Sequence, residues 1–178
     1  MPTTINEIHL KPLLLEYFPR MLEGTGLTPE TWRLGDANYL VMEERYAVSG
    51  LLAEIDAFRK ANGLDRWISG RNECREAGEA GRMAAVIALN RTYAGLTPKE
   101  VRAGAAVGVF RYMPDEDQGS GHVANCVVYR RGESSRVEIG VIEPQGWDIE
   151  GRPVPRYERR LRLSAKERES VRAWHFWM

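Results

Sequence analysis

Cysteine and histidine are scarce in this chain of 178 residues: only Cys74 and Cys126, and only His9, His122 and His175. Two cysteines are too few for a disulfide framework, and with so few thiols and imidazoles a dedicated zinc site is not expected. No apolar run approaches the ~18 residues of a membrane span. The opening Met1-Pro2-Thr3-Thr4 does not resemble a signal peptide. The expectation is a protein of a reducing, cytoplasmic compartment, with no cofactor and no membrane partner. Net charge is absent as well, because 25 Lys+Arg balance 25 Asp+Glu. No overall field therefore recruits nucleic acid. Basic residues outnumber acids only between Arg152 and Arg172, which reads as a solvated face. No nucleic-acid-binding motif accompanies it, so that partner is not expected either. Internal repeats, low-complexity tracts and domain boundaries are all missing.

What is present suits a packed core. A hydrophobic fraction of 43% and an aromatic fraction of 9% fit one globular domain over residues 1–178. Leu13, Leu14, Leu15, Tyr17 and Phe18 predict a short helix within residues 5–24, stopped at Pro19. Thr28-Pro29-Glu30-Thr31 supplies an N-cap and a proline at the first helical position, opening a brief turn towards Trp32. Residues 43–62 predict a better helix. Its inner face carries Tyr46, Leu51, Ile55 and Phe58, with Glu54, Arg59 and Lys60 outside, and Asn62-Gly63 ends it.

A loop bearing Trp67 and Gly70 leads into residues 73–89, where small side chains recur at helical spacing. They are Cys74, Ala77 or Gly78, Gly81, Ala84 or Ala85, and Ala88. Glycine inside a helix costs roughly 1 kcal/mol relative to alanine. Two of them point to close packing against another backbone, so this is the expected central helix, pressed on a sheet. Thr97-Pro98-Lys99-Glu100 is a capping box that starts another short helix. Val107, Val109, Phe110 and Tyr112 mark a strand within residues 105–113, and an acidic, Gly-rich loop over 114–121 follows. After Gln145 come an extended connection over 146–157 and a short strand at Leu161 and Leu163. Ser164-Ala165-Lys166-Glu167 is a second capping box, and residues 171–177 form a last strand. Helices followed by a mostly antiparallel sheet give the α+β class.

The most informative stretch is Gly121-His122-Val123-Ala124-Asn125-Cys126-Val127-Val128-Tyr129, with Arg136 to Gln145 after it. Two β-branched runs flank the polar Arg130-Arg131-Gly132-Glu133-Ser134-Ser135, a hairpin signature. A turn centred on Glu133 and Ser134 pairs His122 with Gln145 and Ala124 with Glu143. His122, Glu143 and Gln145 then share one face, and Asn125 lies on the other. A slip of one residue would separate His122 from Glu143. Cys126 shares the His122 face but stands about 13 Å along the strand at roughly 3.3 Å per residue, and reads as a buried core thiol.

Cys74 sits near the start of the predicted central helix, where the dipole and the unpaired amides favour a thiolate. With His122 as base and Glu143 to orient the ring, it forms a candidate nucleophilic triad, and its backbone amide is a ready donor to an oxyanion. Gln145 and Asn125 are candidate supports. Trp67, Trp147 and Trp174 read as core or cleft walls.

The order Cys74, then Gly121-His122-Val123-Ala124-Asn125, then Glu143-Pro144-Gln145 resembles papain-like and transglutaminase-like cysteine hydrolases. It is similar in particular to the protease-like domains of some fungal lectins and their bacterial or phage relatives. The resemblance covers residues 67–145, with the strand at 171–177 compatible. It implies a peptidase or amidase working through Cys74, His122 and Glu143 by an acyl-enzyme, on a peptide or protein substrate, in the cytoplasm or a virion. Where those relatives carry aspartates and an aromatic beside the cysteine, this chain reads Asn72-Glu73-Cys74-Arg75-Glu76. That departure keeps a second reading open: the same fold, inactive, as a binding or structural module of a phage or larger assembly.

Overall fold

The computed structural model describes residues 3–35, 38–66, 74–92, 104–112, 121–132, 136–147 and 150–177. The helix expected at 97–100, the loop 114–120, the turn residues 133–135 and Trp67 lie outside them.

The chain is α+β. It begins with β1 (Thr4–Asn6) and α1 (Glu7–Tyr17), whose start is capped by the Asn6 side chain accepting from the His9 amide. Pro19 lies just past the end of α1, as expected, while Pro12 is accommodated inside it. Next come β2 (Asn38–Leu40) and β3 (Met42–Glu43). A π-helical turn, Tyr46–Gly50, runs into α2 (Leu51–Ala61), and the left-handed Gly63 follows its end. Then come α3 (Cys74–Thr92), β4 (Gly104–Ala105), β5 (Val107–Tyr112), β6 (His122–Arg130) and β7 (Val137–Ile142). The described chain closes with β8 (Arg160–Leu161), α4 (Ala165–Ser170) and β9 (Arg172–Trp177). Both halves of the Ser164 and Glu167 capping box are formed at the start of α4.

The main sheet has the order β8-β7-β6-β5-β9, all antiparallel, with β3 parallel beside the last residues of β6. β6 is its centre. Its residues from Val123 to Tyr129 are all buried, the pattern of a strand covered on both faces. Ala124, Cys126 and Val128 face α1, through a cluster with Leu10, Leu14, Phe18, Phe110 and Tyr112. Val127 and Tyr129 face α2 and α3, with Leu51, Leu52, Ile55, Ala84 and Ala85. A small second sheet, in the order β1-β2-β4, was not expected from the sequence. Its strands are too short to show alternation.

Two expectations are corrected. Arg59, placed on the outer face of α2, is only 2% exposed, and Arg159, from the supposedly solvated basic segment, only 1%. Arg59 follows Ile55 by one turn and shares its inward stripe, and both guanidinium groups find backbone carbonyls below the surface. Other arginines of the basic segment are also engaged within the molecule: Arg156 with Asp56, Arg160 with Glu44 and Arg172 with Glu23.

α3 lies directly on the sheet because its glycines let it. A Cβ at Gly78 would stand 2.8 Å from Val123 Cγ1 and 3.1 Å from Val109 Cγ1. One at Gly81 would collide with the Asn125 carboxamide. That carboxamide is fully buried and cannot swing aside cheaply, since its Nδ2 donates to Gly78 O at 2.9 Å and Gly108 O at 3.1 Å. Gly81→Leu should therefore overpack the interface and cost about 1–3 kcal/mol. Gly81→Ala should also destabilise, despite the roughly 1 kcal/mol that alanine gains in helix propensity. Thermal melts of both variants check this; an unchanged or raised midpoint in Gly81→Ala would refute the close approach.

Candidate active site

Cys74 is the first residue of α3, so helix geometry gives its amide no carbonyl partner within the helix. Its side chain is partly exposed. The adjoining Arg75 points to solvent and pairs with Glu76 at 2.9 Å.

His122 begins β6. The β6–β7 ladder pairs Asn125 with Ile142, Cys126 with Val141 and Arg130 with Val137, the register expected from a turn at Glu133 and Ser134. Its ladder stops at Ile142, and Glu143 continues on the side that faces His122. The two side chains meet: His122 Nε2 and Glu143 Oε2 are 2.5 Å apart, with 25% and 16% of the side chains exposed. The other carboxylate oxygen, Oε1, accepts from the Gln145 amide at 2.8 Å. Gln145 thus supports the site through its backbone. Tyr112, the cross-strand neighbour of His122, stands edge-on to the imidazole at 5.6 Å between centroids. With Nε2 taken by Glu143, Nδ1 is the ring nitrogen left for the Cys74 thiol, and Cys74 and His122 each shift the other's proton affinity.

The electrostatics follow from this chain of contacts. Burial pushes the Cys74 pKa up, but the His122 hydrogen bond, the Val123 amide and the imidazolium charge together hold it below its ordinary value. Burial pushes His122 down, yet its bonds to Cys74 and Glu143 and their negative charges raise it to about 10. Both shifts favour a thiolate beside an imidazolium. Cys126 is the contrast: complete burial drives its pKa up to about 12, and it lies well along β6 from His122.

Asn125 is on the opposite face from His122, where its amide joins α3 to β5; its part is in placing the helix. Trp147 is buried, with the Arg59 guanidinium 3.6 Å over its ring. Arg59 and Arg159, both of which bond the Glu143–Pro144 backbone, are the residues that the sequence reading missed. For Arg59 the i+4 spacing from Ile55 was a usable signal. Arg159 stands in a run of arginines with none. Among the described residues no group of three or more His, Cys, Asp or Glu side chains could hold a metal ion, and no helix is long and apolar enough to cross a membrane. The chain matches no family model and no curated protein.

The His122–Glu143 pair sets a pH expectation. The carboxylate favours the protonated ring, so Glu143→Gln should lower the His122 pKa. Proton NMR should show the wild-type ring holding its proton well above the ordinary value of about 6.5, and releasing it at lower pH in the variant. Superimposable curves would mean that Glu143 does not act on the ring.

Proposed function

We propose that this protein is a papain-like cysteine hydrolase, a peptidase or amidase that works through an acyl-enzyme. The observation that carries the reading is the His122–Glu143 contact, with Cys74 near enough to His122 for each to shift the other's proton affinity. These residues come from a helix start, a strand start and a strand end, 48 and 21 positions apart in the sequence. A histidine between a thiol and a carboxylate, with both of its neighbours shifting its proton affinity the same way, is arranged for nucleophilic catalysis.

In this mechanism the Cys74 thiolate attacks the carbonyl carbon of a peptide or amide bond. The new C–S bond moves the carbonyl electron pair onto oxygen, where the Cys74 amide at the start of α3 is placed to donate. Collapse of this oxyanion breaks the C–N bond, and the imidazolium of His122 gives its proton to the departing amine. His122, now neutral, takes a proton from water as the water attacks the thioester. The carboxylate product leaves and the thiolate–imidazolium pair is restored. Glu143 holds the ring throughout and stabilises its charge.

Two measurements test this. Iodoacetamide should alkylate Cys74 well below about pH 8 and much faster than Cys126, because only the thiolate reacts. On any peptide or amide substrate found in a library screen, Cys74→Ser and His122→Ala should each abolish turnover. The double variant should be little worse than either, as expected of residues acting as a unit. Cys126→Ser should remain active. Equal, slow alkylation of both cysteines would instead favour an inactive binding or structural module.

A further inference from the structure

Glu143 lies just beyond the last β6–β7 ladder pair, so something other than that ladder must hold it. Two buried arginines converge there. Arg159 exchanges main-chain and side-chain bonds with the strand end. The Glu143 amide donates to Arg159 O at 2.7 Å, Arg159 Nε donates to Glu143 O at 2.9 Å, and Nη2 donates to Pro144 O at 2.8 Å. Arg159 Nη1 bonds Asp56 Oδ1 on α2 at 2.7 Å. Arg59, one turn further along α2, donates to the same Pro144 carbonyl at 2.9 Å and to Leu64 O at 2.6 Å. Its flat face lies on Trp147.

Such an arrangement is expensive. Removing a guanidinium from water costs several kcal/mol, and here two of them share one carbonyl, with the Arg159–Asp56 contact the one ion pair of either among the described residues. Arg59 also keeps a buried Nε without a hydrogen-bond partner. A core of apolar residues would fold more cheaply. What the arginines supply is direction: planar forks fix the carbonyls of Glu143 and Pro144 from two sides, and so fix where the Glu143 carboxylate points.

We propose that Arg159 and Arg59 are positioning residues that hold the Glu143 carboxylate on His122. They touch neither the thiol nor the imidazole and act through the strand end alone. This assignment rests on the triad reading for its purpose, but its test does not depend on turnover.

The test separates position from charge. Arg159→Lys keeps the cation and loses the fork, so its readout is the His122 titration by proton NMR, with circular dichroism to confirm the fold. If Arg159 positions Glu143, the His122 midpoint should fall by about one unit or more in Arg159→Lys, as the carboxylate loses its contact with the ring. If the arginine merely packs, or acts by charge, the midpoint should not move, and that result overturns the proposal. Should Arg159→Lys fail to fold, Arg59→Lys is read in the same way, again with the charge conserved. Because the readout is a midpoint, the proposal can fail in an active hydrolase or hold in a protein that hydrolyses nothing.

Discussion

The contact on which the rest depends is the one between Gly78 of α3 and Asn125 of β6. The Asn125 amide donates to the Gly78 carbonyl and to Gly108 on β5, which fixes the helix along its own axis as well as against the sheet. Cys74 stands one helical turn before Gly78, and His122 three residues before Asn125. Counting back from that one hydrogen bond along each element brings the thiol and the imidazole to the same end of the molecule. Absence of a Cβ at Gly78 and Gly81 is what makes the bond reachable. A bulkier helix would sit further from the sheet and carry Cys74 away with it.

The second constraint is parity. His122 and Glu143 meet because the hairpin register puts them on one face; one residue more or less in the turn would have turned the carboxylate towards α3. Parity alone still leaves a carboxylate free to choose among rotamers. Here Oε1 is held by the Gln145 amide and Oε2 by His122, while the carbonyls of Glu143 and Pro144 are fixed by arginines. Backbone and side chain are thus both specified, and little freedom remains to be lost when the imidazolium forms.

How much of this was legible follows from the range of each interaction. The hairpin register could be read because the turn is local and the pattern has a period of two. The central helix could be read because its small residues repeat at helical spacing, and the cap of α4 because Ser164 and Glu167 are three residues apart. The roles of Arg59 and Arg159 could not be read in the same way, although the spacing from Ile55 hinted at the burial of Arg59. The carbonyl they share is that of Pro144, 85 and 15 positions away, and composition predicts that arginine stays in water. The small sheet escaped for a different reason: strands of two or three residues carry no periodicity, and β2–β4 is a parallel pairing between segments far apart.

The two cysteines show how little of the chemistry lies in residue type. Both are free, and they stand on elements that pack against each other. Cys126 is enclosed by apolar side chains, and desolvation there outweighs the backbone hydrogen bonds that favour its charged form. Cys74 meets desolvation too, and it is the largest influence on its pKa, but a protonated ring and a backbone amide outweigh it together. That balance depends on His122 keeping its proton, and His122 keeps it partly because Glu143 is close. The proton affinity of the thiol is therefore tied, through His122, to a carboxylate at a strand end anchored by buried arginines.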